Sequence, residues 1–80
     1  MTNAWLGLAD IAIKNNRLEL ARTYLKPVKY IDSKNSNYYY YNGLINKKAG
    51  QVDAAQKDFK KALELDPLNE QANLEMRSQL

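Results

Sequence analysis

The chain has 80 residues, 45% hydrophobic and 26% charged, with no cysteine and no histidine. Such a mixture suits a single small globular domain with a thin core, and it excludes a disulfide framework, a thiolate metal site and any chemistry that needs an imidazole base or ligand. The net charge of +3 is a mild bias that permits acidic partners without demonstrating nucleic-acid binding, and no apolar run approaches the length of a membrane span.

Thr2 follows Met1 directly into helix-forming sequence, without the basic start and long apolar stretch of a signal peptide. The expectation is a segment cut from a longer chain, with the cytoplasm as the default compartment. Trp5, Leu8, Ala9 and Ala12 fall on one helical face and predict a helix over about 2–14, broken at Asn15-Asn16. Ala21, Leu25 and Val28 predict a second helix over about 18–31. Pro27 lies inside it, where the lost backbone hydrogen bond predicts a kink or an interruption. Asp32-Ser33-Lys34-Asn35 is a polar turn cluster.

The next stretch carries two signals. Tyr38-Tyr39-Tyr40-Tyr41 before Asn42-Gly43 and Leu44-Ile45 reads locally as a β-hairpin. A hairpin would have to stand alone here, because no other clear strand exists, and isolated hairpins are marginal. A helix over about 36–48 is therefore preferred, ending at Ala49-Gly50-Gln51, where glycine accepts the left-handed conformation past a helix end. Val52, Ala55, Phe59 and Ala62 predict a fourth helix over about 52–65. Pro67 closes it, Asn69 is a suitable N-cap and Glu70 suits the first turn of a fifth helix over about 70–80. Ala72, Met76 and Leu80 form its narrow apolar stripe, with Asn73, Glu75 and Arg77 opposite.

The chain also repeats itself without a gap at an offset of 34 residues. Trp5 falls on Tyr39, Ala9 on Gly43, Asn16 on Gly50, Ala21 on Ala55, Leu25 on Phe59, Val28 on Ala62 and Ser33 on Pro67. Aromatic meets aromatic, small meets small, and turn former meets turn former. The small residues let paired helices approach while Trp5, Tyr39 and Phe59 fill the space beside them.

This pattern resembles the tetratricopeptide repeat, W-x2-L-G-x2-Y, then A-x3-F, then P. The first unit supplies Trp5-x2-Leu8-Ala9 and Ala21-x3-Leu25-x2-Val28; the second supplies Tyr39-x2-Asn42-Gly43, Ala55-x3-Phe59-x2-Ala62 and Pro67. Asn42 departs from the usual Leu, Ala12 and Asn46 from the usual Tyr, and Ser33 from the closing Pro. The resemblance implies an all-α fold in one domain over 1–80. Two tetratricopeptide-type hairpins, about 2–35 and about 36–69, would stack in a right-handed array with a C-terminal capping helix over about 70–80.

In this family the first helix of each unit lines a concave groove. The resemblance places Asn3, Leu6, Asp10, Ile13 and Lys14 there from the first unit, and Asn37, Tyr40, Leu44, Lys47 and Lys48 from the second. Leu6, Ile13, Tyr40 and Leu44 are apolar where solvent would otherwise be expected, which suits a partner helix or an extended peptide. The competing reading packs them in a homodimer, against a neighbouring repeat, or against the last helix through Leu74 or Met76. Leu6 and Asp10 occupy positions where a carboxylate clamp would want basic or polar groups, so no clamp is expected.

Lys57, Lys60 and Lys61 could contact an anionic partner, but interleaving with Asp53, Asp58 and Glu64 favours a solvated outer face. A helix would spread the four tyrosines around its axis, with Tyr38 and Tyr39 inward or sideways and Tyr40 and Tyr41 toward the groove, so a base-stacking platform is not expected either. No glycine-rich phosphate loop, nucleophile elbow or metal-spaced carboxylate set appears, and Asp10, Asp53 and Asp58 lack evident partners to shift their pKa values. The expectation is a protein-interaction module without catalytic, cofactor or metal site. The alternative is a structural or self-association segment of a larger protein.

Overall fold

The computed structural model describes residues 2–78. They form α1 (Thr2–Lys14), α2 (Leu18–Ile31), α3 (Ser36–Lys48), α4 (Val52–Leu65) and α5 (Glu70–Ser78), with no strand among the described residues. The first four helices have the bounds read from the sequence, and the tyrosine run is helical. Leu80, expected to end the α5 stripe, lies outside the described residues.

The two hairpin turns are built alike. Asn16 and Gly50 both take positive φ, 59° and 83°. Behind each, the chain closes the helix with one short and one long bond: Asn16 N–H to the Ile13 carbonyl and Arg17 N–H to Ala12, then Gly50 N–H to Lys47 and Gln51 N–H to Asn46. These bonds satisfy carbonyls that the helix end would leave orphaned. They also set both hairpins at the same 34-residue register. Helix starts follow the same spacing. Asn35 accepts the Tyr38 N–H at 3.1 Å and Asn69 accepts the Ala72 N–H at 3.1 Å, each capping the helix that follows.

Packing pairs α1 with α2 and α3 with α4, and sets α3 against both helices of the first hairpin. Leu6, Ala9, Ala12, Ile13, Ala21, Leu25, Val28 and Ile45 form one buried cluster, flanked by Trp5, Tyr24, Tyr38, Tyr41 and Leu44. In the second hairpin, Phe59 is fully buried against α3. A Cβ on Gly43 would stand 2.6 Å from Phe59 Cε1 and 2.8 Å from Cδ1, so only glycine lets this ring lie on the α3 backbone. Leu8 and Val52, expected on inward faces, are instead exposed.

α2 runs unbroken through Pro27, contrary to the expected interruption. The carbonyl that loses its helical donor is that of Thr23, which is solvent-exposed, so water can replace the missing bond.

Asn42 and Asn46, the two departures from the repeat pattern in the second unit, share one acceptor. Their side-chain amides donate to Asp58 Oδ2 at 2.9 and 2.7 Å, and Arg22 Nη2 donates to Asn46 Oδ1 at 3.2 Å. This network ties α2, α3 and α4 together. It also corrects the view of Asp58 as a carboxylate without influential partners. Burial raises its pKa, opposed by the hydrogen bonds from Asn46 and Asn42 and by the charge of Arg22. The first hairpin has Leu8, Ala12 and Tyr24 at the equivalent positions, and Tyr24 packs its ring 6.1 Å from that of Trp5.

Two outcomes follow for stability. Gly43→Ala gains helix propensity of about 1 kcal/mol but forces a rigid buried ring aside, at about 1–3 kcal/mol. Urea unfolding will show net destabilisation, partly relieved by Phe59→Leu in the same chain. Asp58→Leu strands the buried Asn46 amide and its neighbour Asn42, costing about 1–3 kcal/mol, whereas Asp58→Asn keeps an acceptor. Since folding raises the Asp58 pKa above its ordinary 3.8, the native state retains a proton that the unfolded chain has lost. The stability contributed is full below that value and disappears as pH rises through the folded pKa. The wild type will therefore lose stability relative to Asp58→Asn between about pH 4 and neutrality; equal gaps in urea midpoint at the two pH values would contradict this.

Candidate functional site

α1, α3 and α5 are the first helices of successive 34-residue units. α1 packs on α3, and Lys47 of α3 holds Glu75 of α5 through Nζ–Oε2 at 2.8 Å. Asp10 and Glu75 both lie close enough to Tyr40 to raise its pKa, after burial itself, and Asp10 acts likewise on Tyr41, opposed by Lys14. Tyr40 thus stands between acidic side chains of the helices on either side, and its ring lies 5.0 Å from that of Tyr41. Both phenols are held in the neutral form, able to donate and accept hydrogen bonds.

Besides Lys47, the residues expected on this surface separate into three groups. Asn3, Lys14, Asn37 and Lys48 are exposed, and Asp10 is half-buried in an ion pair with Lys14 at 3.1 Å. Asn37 also accepts a hydrogen bond from Asn69 Nδ2 at 3.1 Å, so α5 partly fixes it. Lys48 belongs to no ion pair among the described residues, which leaves its charge available. Tyr40 and Leu44 are half-buried, Tyr40 with its ring 6.2 Å from Phe59 and Leu44 against the main cluster.

Leu6 and Ile13 form the third group and correct the expectation of an exposed apolar stripe. They are only 5% and 2% exposed and belong to the buried cluster with Ile45, beside Tyr41 and Leu44. The reason is the stack itself: within one hairpin these positions look outward, but the first helix of the next unit lies over them. The equivalent residues one unit later are Tyr40 and Lys47, and these turn toward Glu75 of α5 in the same way.

Glu75 was not among the expected site residues, and Tyr41 was expected only to turn toward the groove. A signal for them existed in the register, since both stand at the position held by Gly7 in the first unit, where the helix has no side chain to offer. Lys57, Lys60 and Lys61 are exposed, but the pairings expected for them with Asp53, Asp58 and Glu64 are absent among the described residues, because Asp58 is turned inward to Asn42 and Asn46. Among the described residues no group of three or more acidic side chains could hold a metal ion, and no helix is long and apolar enough to cross a membrane.

Comparison with known proteins agrees with the internal symmetry. Two tetratricopeptide repeat family models match the chain, one over residues 2–35 and the other over 36–69, the bounds of the two hairpins with their following turns. No curated protein and no solved structure matches it. Tetratricopeptide repeats are in general protein–protein interaction modules. With both hairpins matched in the register that its turns, caps and core share, the chain belongs to the tetratricopeptide repeat family.

Proposed function

We propose that the chain holds another protein along the side where α1, α3 and α5 run next to one another, seating an extended or helical peptide there. The observation that carries this reading is the arrangement around Leu44. Leu44, Tyr40 and Tyr41 are half-buried, while Asn3, Lys14, Asn37 and Lys48 are exposed at the ends of α1 and α3. A half-buried apolar floor edged by polar groups is the usual form of a peptide site. Leu44 and the two tyrosines would cover a partner's apolar side chains, with Tyr and Leu surfaces already fixed by the core and little ordering entropy left to lose.

Orientation would come from Lys48 and the side-chain amides of Asn3 and Asn37. Lys14 and Lys47 are engaged by Asp10 and Glu75, so Lys48 is the cation that a partner carboxylate would meet at least cost. Leu6 and Ile13 play no part in contact and act by holding α1 under α3.

The test is affinity capture from nuclease-treated extract with the wild-type chain and with Leu44→Glu/Lys48→Glu, after circular dichroism has shown equal helix content. A protein retained by the wild type and lost, by about tenfold or more, from the variant supports the groove. Equal retention by both chains would place the contact elsewhere.

A further inference from the structure

Asn42 is the only asparagine in the chain that precedes a glycine. The pair belongs to the second unit alone, since the first has Leu8-Ala9 at the equivalent place. Each member has a structural reason to be there. Gly43 is required because the Phe59 ring lies against the place its Cβ would take, and Asn42 donates to Asp58 Oδ2 at 2.9 Å. Together they create a chemical weakness. With no side chain on the following residue, nothing hinders its backbone nitrogen from reaching the asparagine amide carbon, and asparagine is thermally labile through this reaction.

Cyclisation joins Gly43 N to Asn42 Cγ and breaks the Cγ–Nδ2 bond. Ammonia leaves, carrying the proton that Gly43 N gives up, and a succinimide remains. Water then opens the ring at either carbonyl. One opening leaves an aspartyl residue; the other leaves an isoaspartyl residue, whose side-chain carbon has entered the main chain. Water is consumed, ammonia is released, and no oxidant or reductant takes part.

The folded hairpin blocks the first step from two sides. Residue 43 lies in the interior of α3, where its N–H is committed to the carbonyl four residues earlier. The Asn42 amide is held toward α4 by Asp58, in the network that also takes in Asn46 and Arg22. Unfolding releases both, and an unfolded Asn-Gly pair readily enters tight turns.

The products do not fit the closed hairpin. A carboxylate at residue 42 offers no N–H to Asp58 and meets a like charge at hydrogen-bond distance. Arg22, Lys26 and Lys29 border the same position and temper this repulsion without restoring the donor. The isoaspartyl product goes further, lengthening the α3 backbone where Phe59 lies directly on it.

We propose that Asn42 is a modification site gated by the fold: opening of the α3–α4 hairpin exposes it to spontaneous deamidation, and the product keeps the hairpin from closing as before. The site stands whether or not the peptide reading holds.

The experiment incubates the full chain in mildly alkaline buffer, with and without denaturing urea, and follows residue 42 by peptide mapping with mass spectrometry. Conversion is expected to be at least about tenfold faster in urea, because in buffer it waits on hairpin opening. Phe59→Leu, which loosens the hairpin, will speed conversion in buffer and leave the rate in urea unchanged. Converted chain, purified and returned to buffer, will unfold at a lower urea concentration than the wild type. Equal rates in buffer and urea, or a Phe59→Leu chain that converts no faster in buffer, would remove the gate and overturn the proposal. An absence of conversion at residue 42 in urea, or a converted chain with the wild-type urea midpoint, would overturn it as well.

Discussion

The contact between Gly43 and Phe59 sets the geometry on which the second hairpin depends. A methyl group at residue 43 would fall within 3 Å of the ring, so the distance between α3 and α4 is fixed by the absence of a side chain on one helix and the presence of a large one on the other. Close approach then allows Tyr40 to reach the same ring from α3, and it brings Asn42 and Asn46 within hydrogen-bond range of Asp58. The first hairpin uses Ala9 and Leu25 at the corresponding positions, a smaller ring-free version of the same wedge. Interiors packed to crystal-like density tolerate such exchanges when total volume is conserved.

Polar substitution inside the second hairpin is compensated as a set. Asn42 and Asn46 would each weaken an apolar seam if taken alone, because a buried amide without a partner costs more than its hydrogen bond returns. Asp58 gives both a common acceptor and Arg22 satisfies the remaining oxygen of Asn46, and no buried side-chain nitrogen or oxygen among the described residues lacks a partner. The first hairpin fills these positions with Leu8, Ala12 and Tyr24, so each solution is internally consistent and mixing them would not be. That pairing of chemistry across a seam gives a repeat stack its order: a unit fits the neighbour whose facing residues complete its own.

Stacking also decides which residues are left for a partner. Leu6 and Ile13 occupy positions that an isolated hairpin would expose, yet the next first helix covers them. Tyr40 and Lys47 are drawn toward α5 for the same reason. Asn69 illustrates how tightly the units are joined: it caps α5 while its amide donates to Ser36 and Asn37, and Ser36 in turn donates to the Ala62 carbonyl at 2.7 Å. The surface along α1, α3 and α5 is therefore set by both hairpins and the C-terminal helix together, and no single hairpin defines it.

The sequence by itself determined the helices, their ends and their family. Helical spacing of small and aromatic residues, Asn16 and Gly50 at left-handed turn positions and Asn69 at a cap are local or strictly periodic features, and the gapless 34-residue offset makes every one of them count twice. Tertiary structure alone decided which outward-facing residues stay outward. Spacing along one helix places Leu6, Leu8, Ile11 and Ile13, but their burial depends on whether another helix lies across them: α3 does so for Leu6 and Ile13, and nothing among the described residues does so for Ile11. Asp58 follows the same rule. Its raised pKa and its three-helix network arise from side chains 12 and 16 residues away in sequence, and such partners meet only when the hairpin closes and burial removes the water that would otherwise solvate the charge.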